Sequence, residues 1–258
     1  MLPQVQYLTK LTEVQKGKIR SLAACCQKRD HISLSFPLDP EDGPVSYYWM
    51  SDGQGRLMSA LSLNYWENHL AECIAFTHPD FRRKGYFSQL LDKALESCEE
   101  DDLLFPASNH CADTMATLEA LQAEFQFREH LMELDFAAGL PIAFSPQKQT
   151  AVLKAPKYPL SPNALWTIHL PLPGSPPVGS CQTSPAAPGC LCLHHLEVHP
   201  GMRRQGLGFS LACQLLCHVQ KAGVCRAILQ VSGQNQAALA LYKKTGFQTT
   251  ETLSYYLL

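Results

Sequence analysis

The sequence predicts a mixed α/β protein made of two tandem copies of one domain. Three observations lead there. First, the block Thr77-His-Pro-Asp-Phe-Arg-Arg-Lys-Gly85 returns as Val198-His-Pro-Gly-Met-Arg-Arg-Gln-Gly206. His, Pro, Arg, Arg and Gly recur in register at 78/199, 79/200, 82/203, 83/204 and 85/206. Second, each block follows an apolar, strand-like run and precedes a helix-like one. Third, the period is far longer than a solenoid repeat, which makes it a duplicated domain.

In the first copy, Thr12 to Lys28 reads as a helix, with Ile19, Leu22, Ala23 and Cys26 at helical spacing. Val45–Met50 and Leu57–Tyr65 form a hairpin around Asp52-Gly53-Gln54-Gly55. Leu70–Thr77 is the strand entering the repeated block, and Tyr86 to Cys98 is the helix leaving it. Leu103–Ala107 and Phe127–Phe136 are later strands. Gly139, Pro141, Ser145 and Pro146, then polar Gln147-Lys148-Gln149, put the boundary near 138–149. The domains are then 1–140 and 150–258.

In the second copy, Leu165–Leu170 and Val178–Thr183 are strands, and Ser184 to Gly189 is a Pro/Ser loop. Cys190–Val198 is the strand before the repeated block, and Leu207 to Gln220 the helix after it. Ala227–Val231 and Thr252–Leu257 follow. Between them, Asn235 caps a helix that Gly246 ends. Pro171, Pro173, Pro176 and Pro177 make the start of this copy compact, with little room for opening helices. Strands interleaved with helices give the α/β class.

Composition narrows the function. The chain has 258 residues, 46% hydrophobic and 17% charged, with net charge −2. That balance suits globular domains and gives no broad basic surface for nucleic acid. The longest apolar block, Phe136 to Phe144, is broken by Gly139 and Pro141, so no membrane span is expected. Met1 to Tyr7 lacks the pattern of a signal peptide. The 11 cysteines are odd in number and none has CxxC spacing. Reduced, mostly buried thiols in a cytoplasmic protein fit best. A monomer or homodimer is expected. Cys190, Cys192, His194 and His195 are a conceivable zinc set, but strand neighbours point to alternate faces, so no metal is expected.

The repeated turn carries the chemistry. Arg203-Arg204-Gln205-Gly206-Leu207-Gly208 runs directly into a helix. Glycines let the backbone approach a ligand, helix N–H groups favour a phosphate, and arginines add charge-assisted donors. Such a turn suits a diphosphate. A plain glycine turn with solvated arginines is the alternative. In the strand before it, Leu191 and Leu193 are odd while Leu196 and Val198 are even. A one-residue slip at His194-His195 with one buried face implies a bulge. Tyr242 lies in the last turns of the Asn235 helix, where the plain reading is a half-buried core tyrosine.

Together these residues resemble the GNAT superfamily of acyl-CoA-dependent N-acetyltransferases. One hallmark is Q/R-x-x-G-x-G/A after V-x-P, here Arg203, Gly206 and Gly208 after Val198-His199-Pro200. The other, N-x-x-A-x-x-L-Y-x-x-x-G-F, is complete in Asn235, Ala238, Leu241, Tyr242, Gly246 and Phe247. The resemblance implies a bent mixed sheet flanked by helices in each domain, with two strands splayed at a bulge. It implies acetyl-CoA as cosubstrate, with its diphosphate on Arg203, Arg204, Gln205, Gly206, Leu207 and Gly208. Val198 would meet the pantetheine through its backbone, Asn235 would lie at the cofactor, and Tyr242 near the sulfur.

The first copy resembles the family less closely. Arg82, Arg83, Lys84, Gly85 and Tyr86 make a possible second CoA turn, but Phe87 stands where Gly or Ala is usual. Asn109 stands near the place of the hallmark Asn, and no L-Y-x-x-x-G-F follows. One intact and one degenerate copy is the plan of two-domain members such as mycothiol synthase. The implied reaction is acetyl transfer to an amine, which needs a proton acceptor. His194 and Glu197 are the candidates on the bulged strand, and His194 resembles by position a strand histidine of the arylalkylamine acetyltransferases. A small-molecule amine, a protein α-amine or lysine, and non-catalytic acyl-CoA sensing all remain open.

Overall fold

The computed structural model describes residues 4–39, 44–66, 69–98, 102–139 and 151–258. The chain divides into two compact units, Met1–Arg128 with Glu251–Leu258, and Glu129–Thr250. Pairing explains this division. Strand β6 (Glu124–Asp135) pairs from Glu129 onward with β11 (Arg226–Ser232) of the second unit. The end of β12 (Gln248–Leu257) pairs with β5 (Asp102–Ser108) of the first. The division therefore differs from the linear split at 138–149 that Gly139 and Pro141 suggested, and 140–149 lie outside the described residues.

In the first unit, Thr12 opens α1 (Glu13–Asp30) with a capping box. Its side chain accepts the Gln15 N–H while Gln15 reaches back to the Thr12 N–H. β1 (Gln6–Leu8), β2 (Val45–Ser51), β3 (Leu57–Trp66) and β4 (Leu70–Thr77) are antiparallel neighbours in that order. The β2–β3 turn closes as expected, with Asp52 Oδ1 accepting the N–H groups of Gln54 and Arg56. α2 (Tyr86–Leu95) follows the repeated turn, and α3 (Ala112–Ala120) follows β5. α1 covers one face, burying Ile19, Leu22 and Cys26 against Tyr47, Ile74 and Phe76. α2 covers the other, with Leu90 and Leu91 against Leu61, Leu63 and Cys73.

The second unit has one main core. β6 is followed in the sheet by β11, β10 (Cys190–Val198), β9 (Pro177–Ala187), β8 (Ala164–His169) and β7 (Val152–Lys154). α4 (Leu207–Lys221) and α5 (Gln236–Lys244) contribute Leu211, Leu215, Leu239 and Tyr242 to a cluster with Trp166, Ile168, Leu191 and Leu229. Each such aliphatic side chain contributes about 1.5–3 kcal/mol on burial. Buried Trp166 satisfies its indole by donating to Thr183 Oγ1 at 2.9 Å.

The expected loop at Ser184 to Gly189 is instead mostly strand. β9 continues to Ala187, which pairs with Cys190, leaving Pro188 and Gly189 as the turn. Pro185 fits because it lies opposite Leu191 at a register shift, where a missing N–H costs little. Gly189 takes φ 69, which the turn requires. No helix among the described residues is long and apolar enough to cross a membrane. All eleven cysteines are free thiols.

Candidate active site

The apolar slip in β10 is a bulge. His194 pairs with Gln182 and Glu197 with Ser180, so His195 and Leu196 together face Cys181. His195 absorbs the extra residue with φ 51, in the left-handed region. Leu191 and Leu193 before the bulge, and Leu196 and Val198 after it, then reach the same core.

The first unit shows what the bulge changes. Its β4 pairs with β3 without a shift from Leu70↔Trp66 to Thr77↔Ser59. Ala71, Cys73 and Ala75 pack toward the α2 core, while Ile74 and Phe76 are buried beneath α1. Allowing for the inserted residue, His194 and Glu197 occupy the places of Ile74 and Phe76. Within the second unit they are half-buried and exposed respectively. A polar pair thus stands where the first copy buries two apolar side chains.

Beyond the bulge the sheet opens. β10 and β11 pair in parallel only over Cys190–Leu193 and Arg226–Leu229. Past that point β10 stays with β9, up to Val198↔Gly179, and β11 stays with β6, up to Ser232↔Glu129. The facing edges of 194–198 and 230–232 are left for an extended ligand to pair with. Gly179 makes the close approach possible, because a Cβ there would lie 2.8 Å from the Glu197 carbonyl oxygen.

The turn below this gap presents backbone donors. Gly206 opens α4 at φ 79, ψ 2, with no side chain capping the helix. The first bond of the helix ladder runs from Ser210 N–H to Gly206 O, so the N–H groups of Leu207 and Gly208 precede it. Arg203 is fixed by its Nε, which donates to the Val198 carbonyl at 3.1 Å. Gly208 packs against Val198, Leu196 and Leu241, and a methyl there would meet them at 3.5–3.9 Å, an ordinary contact.

His194 is held on two sides. Its Nε2 lies 3.0 Å from Ser184 Oγ, and its Nδ1 lies 3.0 Å from Nδ1 of His195. Burial, then the neighbouring His195, push its pKa below the ordinary 6.5. Glu197 accepts the Ser180 hydroxyl at 3.1 Å. Tyr242 lies on the core side, 8% exposed, edge-on to Phe247. Burial, then Cys181, push its pKa up to about 12, so it stays protonated. Asn235 spends its amide oxygen on the Ala238 N–H, capping α5. Positive φ at Gly246 and the Phe247 N–H bond to Tyr242 O close that helix.

The parting of two strands beside an uncapped, glycine-opened helix is the geometry the sequence led us to expect, and comparison with known proteins gives the family. The profile of the acetyltransferase (GNAT) family matches residues 18–111 and 139–247. The chain belongs to that family. Over 65 residues it is 40% identical to a ribosomal protein bS18–alanine N-acetyltransferase of Escherichia coli K12, covering 25% of this chain and 44% of that protein. Over 55 residues it is 42% identical to a mycothiol acetyltransferase of Saccharomonospora viridis, covering 21% and 18%. The chain thus spans less than half the length of these curated relatives.

Solved structures agree over the whole chain. A GCN5-related N-acetyltransferase from Sphaerobacter thermophilus superposes with TM-score 0.77 at 13% identity, covering 98% of this chain and 95% of the other. A tandem GNAT protein from the clavulanic acid biosynthesis pathway gives 0.72 at 15%, covering 99% and 98%. At such identities the likeness concerns the fold.

The GNAT turn of the first unit keeps its backbone and changes its charge. Arg82 and Arg203 share φ, ψ of −64, 158 and −68, 162, and Gly85 repeats Gly206 at 76, 9. Arg82 Nε likewise donates to the Thr77 carbonyl at 3.2 Å. Its guanidinium, however, pairs with Asp30 and Asp113, and Arg83 pairs with Asp113. Arg82 and then Arg83 hold the Asp113 carboxyl below its ordinary range. Lys84 Nζ donates to the Asp80 carbonyl, and Tyr86 packs edge-on to Phe81. Asn109 accepts the Ser254 hydroxyl instead of capping α3, whose N-cap is Cys111, without a side-chain bond.

Three residues that hold the candidates His194 and Glu197 escaped sequence reasoning. Ser180 and Ser184 lie on β9, where only the strand register brings them to Glu197 and His194. Asn163, whose N–H donates to Ser184 Oγ at 2.9 Å, is 21 residues away in the chain. The small polar residues of β9 were visible, but their partners were not.

Proposed function

We propose that this protein is an acetyl-CoA-dependent N-acetyltransferase whose chemistry takes place in the second unit. The observation that carries the reading is the parting of β10 from β11 after Leu193 and Leu229, directly above the uncapped turn at Gly206. The turn's N–H groups and Arg203 with Arg204 would hold the CoA diphosphate. Gln205 and Leu207 complete the turn, and the pantetheine would run along the free edge of β10 to Val198.

The neutral amine attacks the thioester carbonyl, and the C–S bond then breaks. His194 takes the ammonium proton. Its lowered pKa keeps it unprotonated near neutrality, as a base requires. Tyr242 gives its proton to the departing thiolate, and solvent restores both groups. Glu197 is the alternative acceptor, and its Ser180 bond orients it. The first unit, with Arg82 neutralised by carboxylates and apolar Ile74 and Phe76 in place of His194 and Glu197, supports no comparable chemistry.

The acceptor is read as a small-molecule amine. A protein α-amine is the second reading, favoured by the 65-residue match to an enzyme named for acetylating an alanine of a ribosomal protein. A panel of amines and peptides, assayed for CoA thiol release, separates the two. A protein that binds acetyl-CoA yet releases no CoA with any amine or peptide would be a sensor instead.

A further inference from the structure

The first unit holds a thiol–imidazole pair that the transfer reaction does not use. Cys25 on α1 places Sγ 3.6 Å from Nε2 of His78, and both residues are half-buried. Nδ1 of His78 accepts the Asp80 backbone N–H at 3.3 Å. That leaves the proton of the neutral ring on Nε2, directed at the sulfur. The Asp80 carboxylate lies 3.8 Å from the same nitrogen of His78 as that N–H. An imidazole N–H directed at sulfur is a setting in which thiols react.

The pair lines an open cavity of about 470 Å³ between α1 and the β2–β3 turn. That is the size of small-molecule sites. The charged side chains lining it are Lys18 and Arg56, and the Asp52 carboxylate offsets Arg56, so the net positive charge is that of Lys18. Each is anchored, Lys18 Nζ on the Gly55 carbonyl at 2.8 Å and Arg56 Nε on Asp52 at 3.1 Å. Ser21 and Leu22 complete the α1 side. An open cavity with the Lys18 ammonium on its wall, around a thiol that accepts an imidazole N–H, favours disulfide exchange over inertness. Its neighbour Cys26 is the opposite case, buried and donating to the Thr77 carbonyl.

We propose that Cys25 is a reactive thiol that forms a mixed disulfide with a small anionic disulfide held in this cavity. Its thiol proton passes to solvent, and the thiolate attacks one sulfur of the ligand. The ligand's S–S bond breaks as the new one forms. The departing half leaves as a thiolate and takes a proton from solvent. The ligand is itself the oxidant.

The test is timed peptide mass spectrometry of the full chain with oxidised glutathione, which is anionic, and cystamine, which is cationic. Exposed Cys225 serves as the internal reference. Cys25 should form the glutathione adduct about tenfold faster than Cys225, and His78→Gln should remove most of that advantage. Cys25 should favour glutathione disulfide over cystamine more than Cys225 does. High salt, or Lys18→Gln with Arg56→Gln, should narrow that preference. Circular dichroism and thermal unfolding report that each variant is folded. A Cys25 rate no greater than that of Cys225, or a Cys25 preference for cystamine, overturns the proposal.

Discussion

The hydroxyl of Ser184 stands 3.0 Å from Nε2 of His194, and Asn163 N–H holds that hydroxyl in place at 2.9 Å. The contact fixes the ring of the proposed base. Ser184→Ala should lower kcat about tenfold, and His194→Gln by about 10²–10⁴. Neither should change acetyl-CoA affinity by calorimetry. Wild-type kcat in folded His194→Gln would move the role of base to Glu197.

The same ring predicts a pH profile. Burial and His195 depress the His194 pKa below 6.5, so the unprotonated base is lost only at lower pH. The acid limb of kcat should therefore lie below pH 6.5. His195→Asn removes the like-charge contribution, so the His194 pKa rises and the limb should move to higher pH. A limb that stays fixed in His195→Asn would separate the two rings functionally.

Arg82 and Arg203 occupy equivalent backbone positions but should fail differently. Arg82→Ala leaves Asp30, whose side chain is 10% exposed, without its partner. Thermal or urea unfolding should record a loss of about 2–4 kcal/mol. Arg203→Ala removes an exposed side chain whose bond among the described residues is to the Val198 carbonyl. Stability should change by less than about 0.5 kcal/mol, while acetyl-CoA binding weakens about tenfold, the size of one charged hydrogen bond. Equal stability losses in both variants would contradict the contrast.

Tyr242→Phe keeps the buried ring against Phe247 and removes one proton. A thiol ionises near pH 8.5, so the leaving group is helped by an acid without depending on one. Turnover should fall by about 10²-fold or more, with affinity and folding preserved. Turnover near wild type, with about 1 kcal/mol of stability lost, would make Tyr242 a core residue.

Much of this was legible in the sequence because it is local. The duplicated turn fixed its own backbone twice, and the odd-to-even switch from Leu193 to Leu196 located the bulge. The Asn235 cap and the Gly246 stop follow from neighbouring residues. What depends on pairing across the chain was hidden. The strand that ends the chain joins Leu104–Ser108, and Ser184 meets His194 only because β9 runs on through Pro185. The charges of Asp30 and Asp113 on Arg82 come from two separate helices, so the degeneracy of the first turn showed in sequence only as Phe87.

The central claim is that the second turn, and not the first, serves the chemistry, and a matched pair of glycines tests it most directly. Gly85 and Gly206 open their helices at φ 76 and 79, with no atom closer than 3.9 Å to a Cβ added at either. Valine at each site carries the same left-handed penalty, about 1–2 kcal/mol. The measurement is amine-dependent CoA release by Gly85→Val and Gly206→Val, with folding checked by circular dichroism. The prediction is that Gly206→Val loses release at subsaturating acetyl-CoA while Gly85→Val retains it. Release lost in Gly85→Val and retained in Gly206→Val would contradict the account.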